Sequence, residues 1–585
     1  MFLITTADQR FWKTDEPVLF LGEWCKLFSQ RSMWETMDYA VLPYHWADRK
    51  RLYQDYSYLD DLYESILPEL SRNLNRIHGT NHSIRYWRII VGLWLLSFIH
   101  VLYDRYQSIL SAAEYTEVEN ALIIRSDITR YVPQDFGAFG IWATEDDEYN
   151  HYIYSRIIED LGRIPFEYVD VERGDSSYIN GGSNVRTRAS LFRKAAKNVL
   201  QYVPQRFNSI VLIQTYLSTR DTIRLYLALA QVPYLLSPRR KTPESEIDLR
   251  LRGEIHLRSA DGEFEELLMR MITEQIPTLY VEGYSSMNQI SLKMYPKRPK
   301  VIFNGVAFNA NEAFKFWAAH NVDRDVKLLG NQHGGLYGSG LVLAVEDHQI
   351  RISDTFYTWG WRSDSYENTK PLAAAKFNTV KREVCSKEGG RLLLVEMGMP
   401  RYSFATEMLC VSSSGFLAYL DEQYRFVDAL SKRNKELLLV RLYVHDYGWN
   451  QKDRWTSEFP EIECSDGISQ SIITQLNMSR VIICTYNGTT YLESFVANFP
   501  TILFWTAERW EIRKSARPYF DALRKVGILH STPEQAADKV NEISEDPISW
   551  WAQSDIQEAK DQFCLQFART HDDWLEEWKR ELRCR

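Results

Sequence analysis

Nowhere in the sequence do two cysteines stand at CxxC spacing. The seven present (Cys25, Cys385, Cys410, Cys464, Cys484, Cys564 and Cys584) are odd in number and irregularly scattered. That excludes a disulfide framework and a structural zinc site, and it points to a reducing compartment. No apolar run reaches the roughly 20 residues needed to span a bilayer. The longest, IIVGLWLLSFIHVLY from Ile89 to Tyr103, is shorter and carries Ser97 and His100. It reads as a buried helix, with a helix lying on a membrane surface as the alternative. The opening MFLITTADQRFWK lacks a basic start, and its apolar stretch is too short for a signal peptide. A cytoplasmic protein is expected, with peripheral contact at the inner face of the membrane as the variant.

An excess of basic charge is also missing. Lys and Arg number 69 against 78 Asp and Glu, a net charge of −9, so no nucleic-acid partner is expected. A small anionic ligand needs only a local pocket and stays open. There is no HExxH or other metal-ligand pattern, no nucleophile elbow, no Ser-His-Asp order, no Walker loop and no dinucleotide fingerprint. Neither a metal nor a cofactor is expected.

What is present is the composition of a folded chain, 45% apolar and 25% charged over 585 residues. That length is too great for one core. Short strands are expected at Phe2–Thr5 and Val18–Leu21, then an α-rich stretch from about Tyr56 to Leu122; residues 121–175 give no clear pattern. From Ser209 strands and helices alternate: SIVLIQTYL, a helix over Thr222–Ala230, PYLLS, TLYVEG (Thr278–Gly283), KVIFNG (Lys300–Gly305), a helix over Asn311–His320, and VKLLG ending at Gly330. Lys241–Asp261 reads as a charged surface excursion. After a polar linker, RLLLVEMG, a helix near Gly415–Ser431, ELLLVRLYV and VGILH form a second series. This alternation implies an α/β fold with a mainly parallel sheet. The expected division is an N-terminal α/β unit with a helical insertion over 1–378, a linker at 379–390, a C-terminal α/β unit at 391–545, and helices at 546–585 packing on the body. A cleft between the two units is the expected ligand site.

Two stretches carry the chemistry. Ser479–Trp505 (SRVIICTYNGTTYLESFVANFPTILFW) reads as strand, turn, helix and strand. Tyr486, Asn487 and Gly488 make the turn, and Thr490 with Glu493 fits a capping box. A helix N-terminus at such a turn attracts phosphate. The second stretch is NQHGGLYGSG, Asn331–Gly340. Five of only 27 glycines lie between Gly330 and Gly340, at a strand's C-terminal end, where open α/β sheets bind ligands. His333 sits there. Glu396, Arg401 and Arg441, with His445 and Asp446, follow strands whose ends converge on the same edge. Arg401 and Arg441 are suited to bidentate phosphate contacts, with surface ion pairing as the other reading. His78, His82, Arg85 and Arg88 form a basic cluster before the apolar helix, read as a polar helix start or as the lining of an acceptor site.

NQHGGLYG, the FYTWGW strand (Phe356–Trp361) and TYNGTTYLE together resemble a family of bacterial surface-polysaccharide (O-antigen cluster) transferases. FLGEWC near the start and HSIRYWRIIVGLWLL belong to the same pattern, so the resemblance spans nearly the whole chain. More distantly, QHG followed by a strand–turn–helix is similar to capsule Kdo transferases and teichoic-acid glycerophosphotransferases. The resemblance implies the GT-B fold: two Rossmann-like domains, a nucleotide donor held mainly by the C-terminal one, and no obligatory metal. On matching positions, Asn487, Gly488, Thr489 and Thr490 would hold the donor phosphate, and His333, Gly334 and Gly335 would face the cleft. The glycerophosphotransferases follow their histidine with Gly-Thr-Pro, whereas Gly334, Gly335 and Leu336 follow here.

The implied activity is glycosyl transfer from a nucleotide-sugar, with a CMP-sugar favoured over UDP or dTDP, to a glycan hydroxyl, lipid-linked in one variant. His333, His82 and Glu23 are the catalytic candidates, and Asp8 and His78 are further choices for a base. Gly334, Gly335, Glu396, Arg401, Arg441, Tyr486, Asn487, Gly488, Thr489, Thr490 and Glu493 are the donor-side candidates. Polyol-phosphate transfer from a CDP-polyol is the runner-up. A non-catalytic nucleotide-sugar-binding partner in glycan assembly is the third reading.

Overall fold

A computed structural model describes residues 1–585 except 116, 126, 172, 174–203, 236–241, 259–261, 386–388, 405–413 and 584–585. The fold is α/β with three parallel sheets, where two α/β units were expected. The first sheet contains β1 (Phe2–Ile4), β2 (Val18–Phe20), β3 (Tyr39–Val41), β4 (Asn120–Ile124) and β5 (Phe166–Val169), ordered β3-β2-β1-β4-β5. The second holds β6 (Ile210–Ile213), β7 (Val301–Asn304), β8 (Lys327–Asn331), β9 (Thr355–Thr358) and β10 (Thr369–Pro371), side by side in chain order. The third is built from β11 (Arg391–Val395), β12 (Leu438–Arg441), β13 (Glu463–Ser465), β14 (Ser479–Cys484), β15 (Thr501–Phe504) and β16 (Leu529–His530), ordered β13-β12-β11-β14-β15-β16.

The apolar runs explain the strands. Leu392–Leu394 in β11 and Val481–Cys484 in β14 are fully buried and pair in register, Leu393 with Ile482 and Leu394 with Ile483. Such runs have no polar face to offer water, so both faces of the sheet are covered by helices. One core joins the first two sheets, and a second lies around the third.

The apolar segment is the helix Leu93–Ala113, entered through a π-turn at Arg88–Gly92. The whole Ile84–Ala113 stretch is long and apolar enough to cross a membrane, yet 94% of its most apolar window is buried inside the fold. It is a core helix. Gly92 has no side chain to clash with the Tyr63 hydroxyl, which a Cβ would meet at 2.7 Å. The C-terminal helices divide between the cores: Ile556, Ala559, Phe563 and Phe567 join the third sheet's core. Trp574 and Trp578 instead join the first core, where the Trp578 indole donates to the Ala373 carbonyl at 2.9 Å and packs 5.0 Å from the Phe303 ring.

Three local expectations are corrected. TLYVEG is not a strand: Thr278–Tyr280 is a 3-10 turn, and its Thr278 and Leu279 amides donate to the carbonyls of Pro133 and Gln134 instead of a sheet neighbour. The described part of PYLLS, residues 233–235, is irregular; Leu236 and Ser237 lie outside the described residues. Thr490 and Glu493 do not form a capping box. The helix is Thr489–Val496, and its cap is Gly488, without a side-chain cap bond.

Candidate functional site

The glycine turn after β8 is fixed by Gln332. This buried amide accepts from the Trp359 backbone N–H and the Trp361 indole, both at 2.8 Å, and donates to the Gly334 carbonyl at 2.9 Å. Gly338 takes a positive φ of 71° against the Trp361 ring, and its amide donates to Glu346 at 2.8 Å. The turn is thereby held against the segment after β9 and the helix Ala344–Ile352. The Gly335 amide donates to Thr489 Oγ1 at 3.0 Å, and a Cβ on Gly335 would stand 2.3 Å from the Gly488 carbonyl oxygen. Asn487 donates to Ser339 Oγ at 3.2 Å and accepts from the Tyr491 hydroxyl at 2.8 Å. The two stretches singled out in the sequence, 154 residues apart at that bond, are in backbone contact.

His333 lies half-buried beside this contact. Asn309 stands 3.4 Å from its Nε2, and the Tyr337 hydroxyl lies 3.3 and 3.4 Å from the two ring nitrogens. So even a placement does not fix one tautomer. Gln349 ties the group together, accepting from Tyr337 at 3.2 Å and donating to Asn309 at 3.1 Å. Burial, with Lys376 as a second cause, lowers the imidazole pKa to about 4. His333 is therefore neutral at physiological pH, and its ring is a weaker base than an exposed imidazole.

Lys376 was not legible in the sequence. It follows β10 in an unremarkable run, and its ammonium lies 3.5 Å from Glu493 and 5.3 Å from the centre of the Tyr216 ring. Burial raises the Glu493 carboxyl, opposed by Lys376 and then Arg441. Tyr216 and Gln214, at the end of β6, hold positive φ values of 61° and 48°. Such strain in non-glycine residues persists where surroundings impose it, often at functional sites. Gly305 after β7 permits it, because a Cβ there would meet the Gln214 carbonyl at 2.1 Å. Asn309 and Gln349 were missed for the same reason as Lys376: none stands in a motif.

Several sequence-chosen residues are engaged elsewhere. Arg401 is buried between the first and third sheets, donating to the Trp24 carbonyl at 2.8 Å, the Tyr447 carbonyl at 3.2 Å and Asp147 at 2.9 Å. Its guanidinium joins sheets instead of facing a ligand. Arg441 donates to the carbonyls of Gly467 and Gln470, at 2.8 and 2.9 Å, and so braces the loop after β13. Glu396 is buried, accepts the Trp455 indole at 2.9 Å, and is pushed up to about 8 by burial; it is largely a neutral acid at pH 7. Tyr486 and Thr490 bond each other at 3.2 Å. His82 pairs with Asp323 at 2.8 Å, on the loop that precedes β8. His333 follows the same strand, so the two lie at opposite ends of five residues spanning about 16 Å. Glu23 pairs with Lys26 at 3.1 Å just after β2, which lies between β3 and β1 in the first sheet. Neither His82 nor Glu23 converges on His333.

A family model described as LIC12162 family transferase matches residues 1–582. Among curated proteins, none matches the chain. Among solved structures, the N-terminal domain of Candida albicans trehalose-6-phosphate phosphatase is similar at 11% identity, covering 80% of this chain and 97% of that one. Its TM-score of 0.31 carries no argument about fold or activity.

Proposed function

The chain belongs to the LIC12162 family of transferases, and we propose that the group transferred is a sugar, carried from a nucleotide-activated donor to a glycan hydroxyl in surface-polysaccharide assembly. The observation that carries this reading is the contact of Gly335 with Gly488 and Thr489. It brings the His333 turn and the N-terminus of the Thr489–Val496 helix to one junction, with Lys376 beside them. A helix N-terminus and an ammonium are the groups a departing phosphate needs. The first and third sheets each reverse strand order at one point, as doubly wound nucleotide-binding sheets do. This supports a GT-B-like arrangement with an added second sheet.

In the transfer, an acceptor oxygen bonds to the anomeric carbon while the bond from that carbon to the donor phosphate breaks. The electron pair leaves with the phosphate, whose charge Lys376 and the helix N-terminus stabilise. The acceptor proton passes to a nitrogen of His333. Donor binding aids that step, because phosphate charge beside the imidazole offsets Lys376 and raises its basicity. Metal and cofactor have no assigned part. We place the reaction in the cytoplasm, on an acceptor that is lipid-linked in one variant.

The test is incubation with CMP-, UDP- and dTDP-sugars, following melting temperature and then nucleotide release with glycan acceptors. A CMP-sugar is the first to try. Absence of a thermal shift with every donor rejects the donor site. A phosphate-linked product from a CDP-polyol supports the runner-up, and binding without turnover supports a non-catalytic role.

A further inference from the structure

The Lys376 ammonium is held from several sides. Its nitrogen lies 5.3 Å from the centre of the Tyr216 ring and 5.8 Å from that of Trp359. The chain leading to it is clipped to the C-terminal segment: Arg569 donates its amide to the Trp359 carbonyl at 2.8 Å and accepts the Ala374 amide at 2.7 Å. Gly360 admits this approach, because a Cβ there would meet the Leu565 carbonyl oxygen at 2.4 Å. Trp359 is also the residue whose amide donates to Gln332 under the His333 turn. Aromatic faces and backbone bonds thus place Lys376 independently of an anion.

Glu493 is nevertheless its ion-pair partner, at 3.5 Å, with only 13% of the Glu493 side chain exposed. It stands one turn beyond Thr489 in the helix Thr489–Val496. Side chains of a helix lean toward its N-terminus, so the carboxylate is carried back over the first turn, on which the donor phosphate is placed. A phosphate arriving there meets an anion already at its ammonium. Two anions at one cation, in a site shielded from water, coexist when one of them gains a proton, as paired carboxylates do.

The other groups around Glu493 leave the decision to Lys376. Arg441 acts on it more weakly, from the end of β12, and is bonded to the Gly467 and Gln470 carbonyls. The Cys484 thiol and the Tyr486 phenol feel its charge, and burial, the larger cause, keeps both neutral. On the two helices packed against Thr489–Val496, Lys381 pairs with Asp572, Arg382 with Asp221 and Lys560 with Asp561. Burial raises the Glu493 carboxyl, and Lys376 is the main force against it. An anion that takes the ammonium therefore leaves burial to protonate the carboxyl.

We infer that Glu493 is the resident counter-ion of Lys376, displaced by the donor phosphate and protonated from solvent as it leaves; the inference rests on the donor reading of this junction. The ammonium exchanges a carboxylate oxygen for a phosphate oxygen, and one proton passes from water to Glu493, so that neither anion is left unpaired. Donor binding is thereby coupled to proton uptake and weakens as pH rises. A sugar without a phosphate has no charge with which to displace the carboxylate, so Glu493 also reserves Lys376 for the activated donor.

The test is titration calorimetry of the full chain with the CMP-, UDP- or dTDP-sugar that raises its melting temperature, in buffers of differing ionisation enthalpy from about pH 5.5 to about pH 8. Uptake of about half a proton or more per donor is expected at its maximum, with affinity falling toward high pH. Glu493→Gln is expected to take up none, to lose the pH dependence and to bind the donor about tenfold more tightly at the alkaline end. A carboxylate that only braces the helix, or that itself contacts the donor, has the opposite sign: its Gln variant binds more weakly. Weaker or unchanged donor binding by Glu493→Gln overturns the inference. So does donor binding by the wild type without proton uptake, a measurement that stands whether or not the variant folds. Absence of a melting shift with every donor rejects instead the donor reading on which the inference rests.

Discussion

The Gly335 amide reaches Thr489 Oγ1 at 3.0 Å across the boundary between the second and third sheets, and nothing larger than hydrogen fits on the Gly335 Cα, since a Cβ would stand 2.3 Å from the Gly488 oxygen. Gly335→Ala must push the two turns apart. A displacement of about 1 Å at a reacting centre costs on the order of 100-fold in rate. The expected outcome is a loss of turnover of that size with an unchanged far-ultraviolet circular dichroism spectrum. An alanine variant as active as the wild type contradicts the role given to the contact.

Lys376→Met is expected to weaken donor binding about tenfold, the equivalent of roughly 1.4 kcal/mol, read as a smaller melting shift with nucleotide-sugar. It also removes a cation that disfavours imidazolium at His333, second in effect to burial. The His333 pKa, followed by NMR, therefore moves up from about 4 in the variant. A fall, or no change, places Lys376 away from the ring.

The dependence of kcat/KM on pH carries the same sign. In the proposed role His333 acts in its neutral form, so its contribution is expected to be constant from neutral pH downward and lost only as pH falls through about 4. An acid limb near 6.5 in the wild type, or one that moves to lower pH in Lys376→Met, contradicts this assignment. His333→Ala is expected to abolish turnover while retaining the fold.

Stability answers pH from both sides. Burial lowers His78, His100 and His333 to about 4 and His151 to about 3. Below about 6.5 the unfolded chain takes up protons that the folded chain refuses, so stability falls with falling pH. Glu396 is the opposite case. Its carboxyl is held up to about 8 by burial, so the stability linked to its proton is present below about 4.5 and lost as pH rises through 8. Glu396→Gln is expected to gain melting temperature over the wild type, the gap widening from pH 5 to pH 8 and level above. A constant gap rejects the assignment.

Asp147→Asn leaves the buried Arg401 without its carboxylate. Removing one partner of a buried pair costs roughly 3–5 kcal/mol. Asp147 is about one fifth exposed, so the lower end, about 3 kcal/mol, is expected in urea denaturation. Donor binding in the folded protein should not change.

Periodicity exposed those strands whose side chains are buried on both faces, such as β11 and β14, because an unbroken apolar run leaves few other readings. It did not expose β3, β10 or β13. These are three-residue strands, β10 and β13 partly polar and β3 partly exposed, and their assignment comes from pairing with a neighbour. Nor did it show that the 1–378 stretch carries two sheets, since strand order depends on which distant strands meet. Within the site, glycine density marked the His333 turn, and the strand–turn–helix pattern marked 487–490. Lys376, Asn309 and Tyr216 left no such mark, since each arrives at the end of a different strand and only folding brings them together. Arg401 and His82 illustrate the converse: a charged residue near a strand end is as readily a tie between layers as a ligand contact.

Trp578 closes the second sheet from the far end of the chain, over Phe303 and the Ala373 carbonyl. During synthesis even β10, the last strand of that sheet, leaves the ribosome 207 residues before that indole does. The apolar patch around Phe303 and Tyr357 must therefore wait, uncovered, while the entire third sheet is made. Its native cover is a late arrival, so this face of the second sheet stays open to non-native contacts until the C-terminal helix is made.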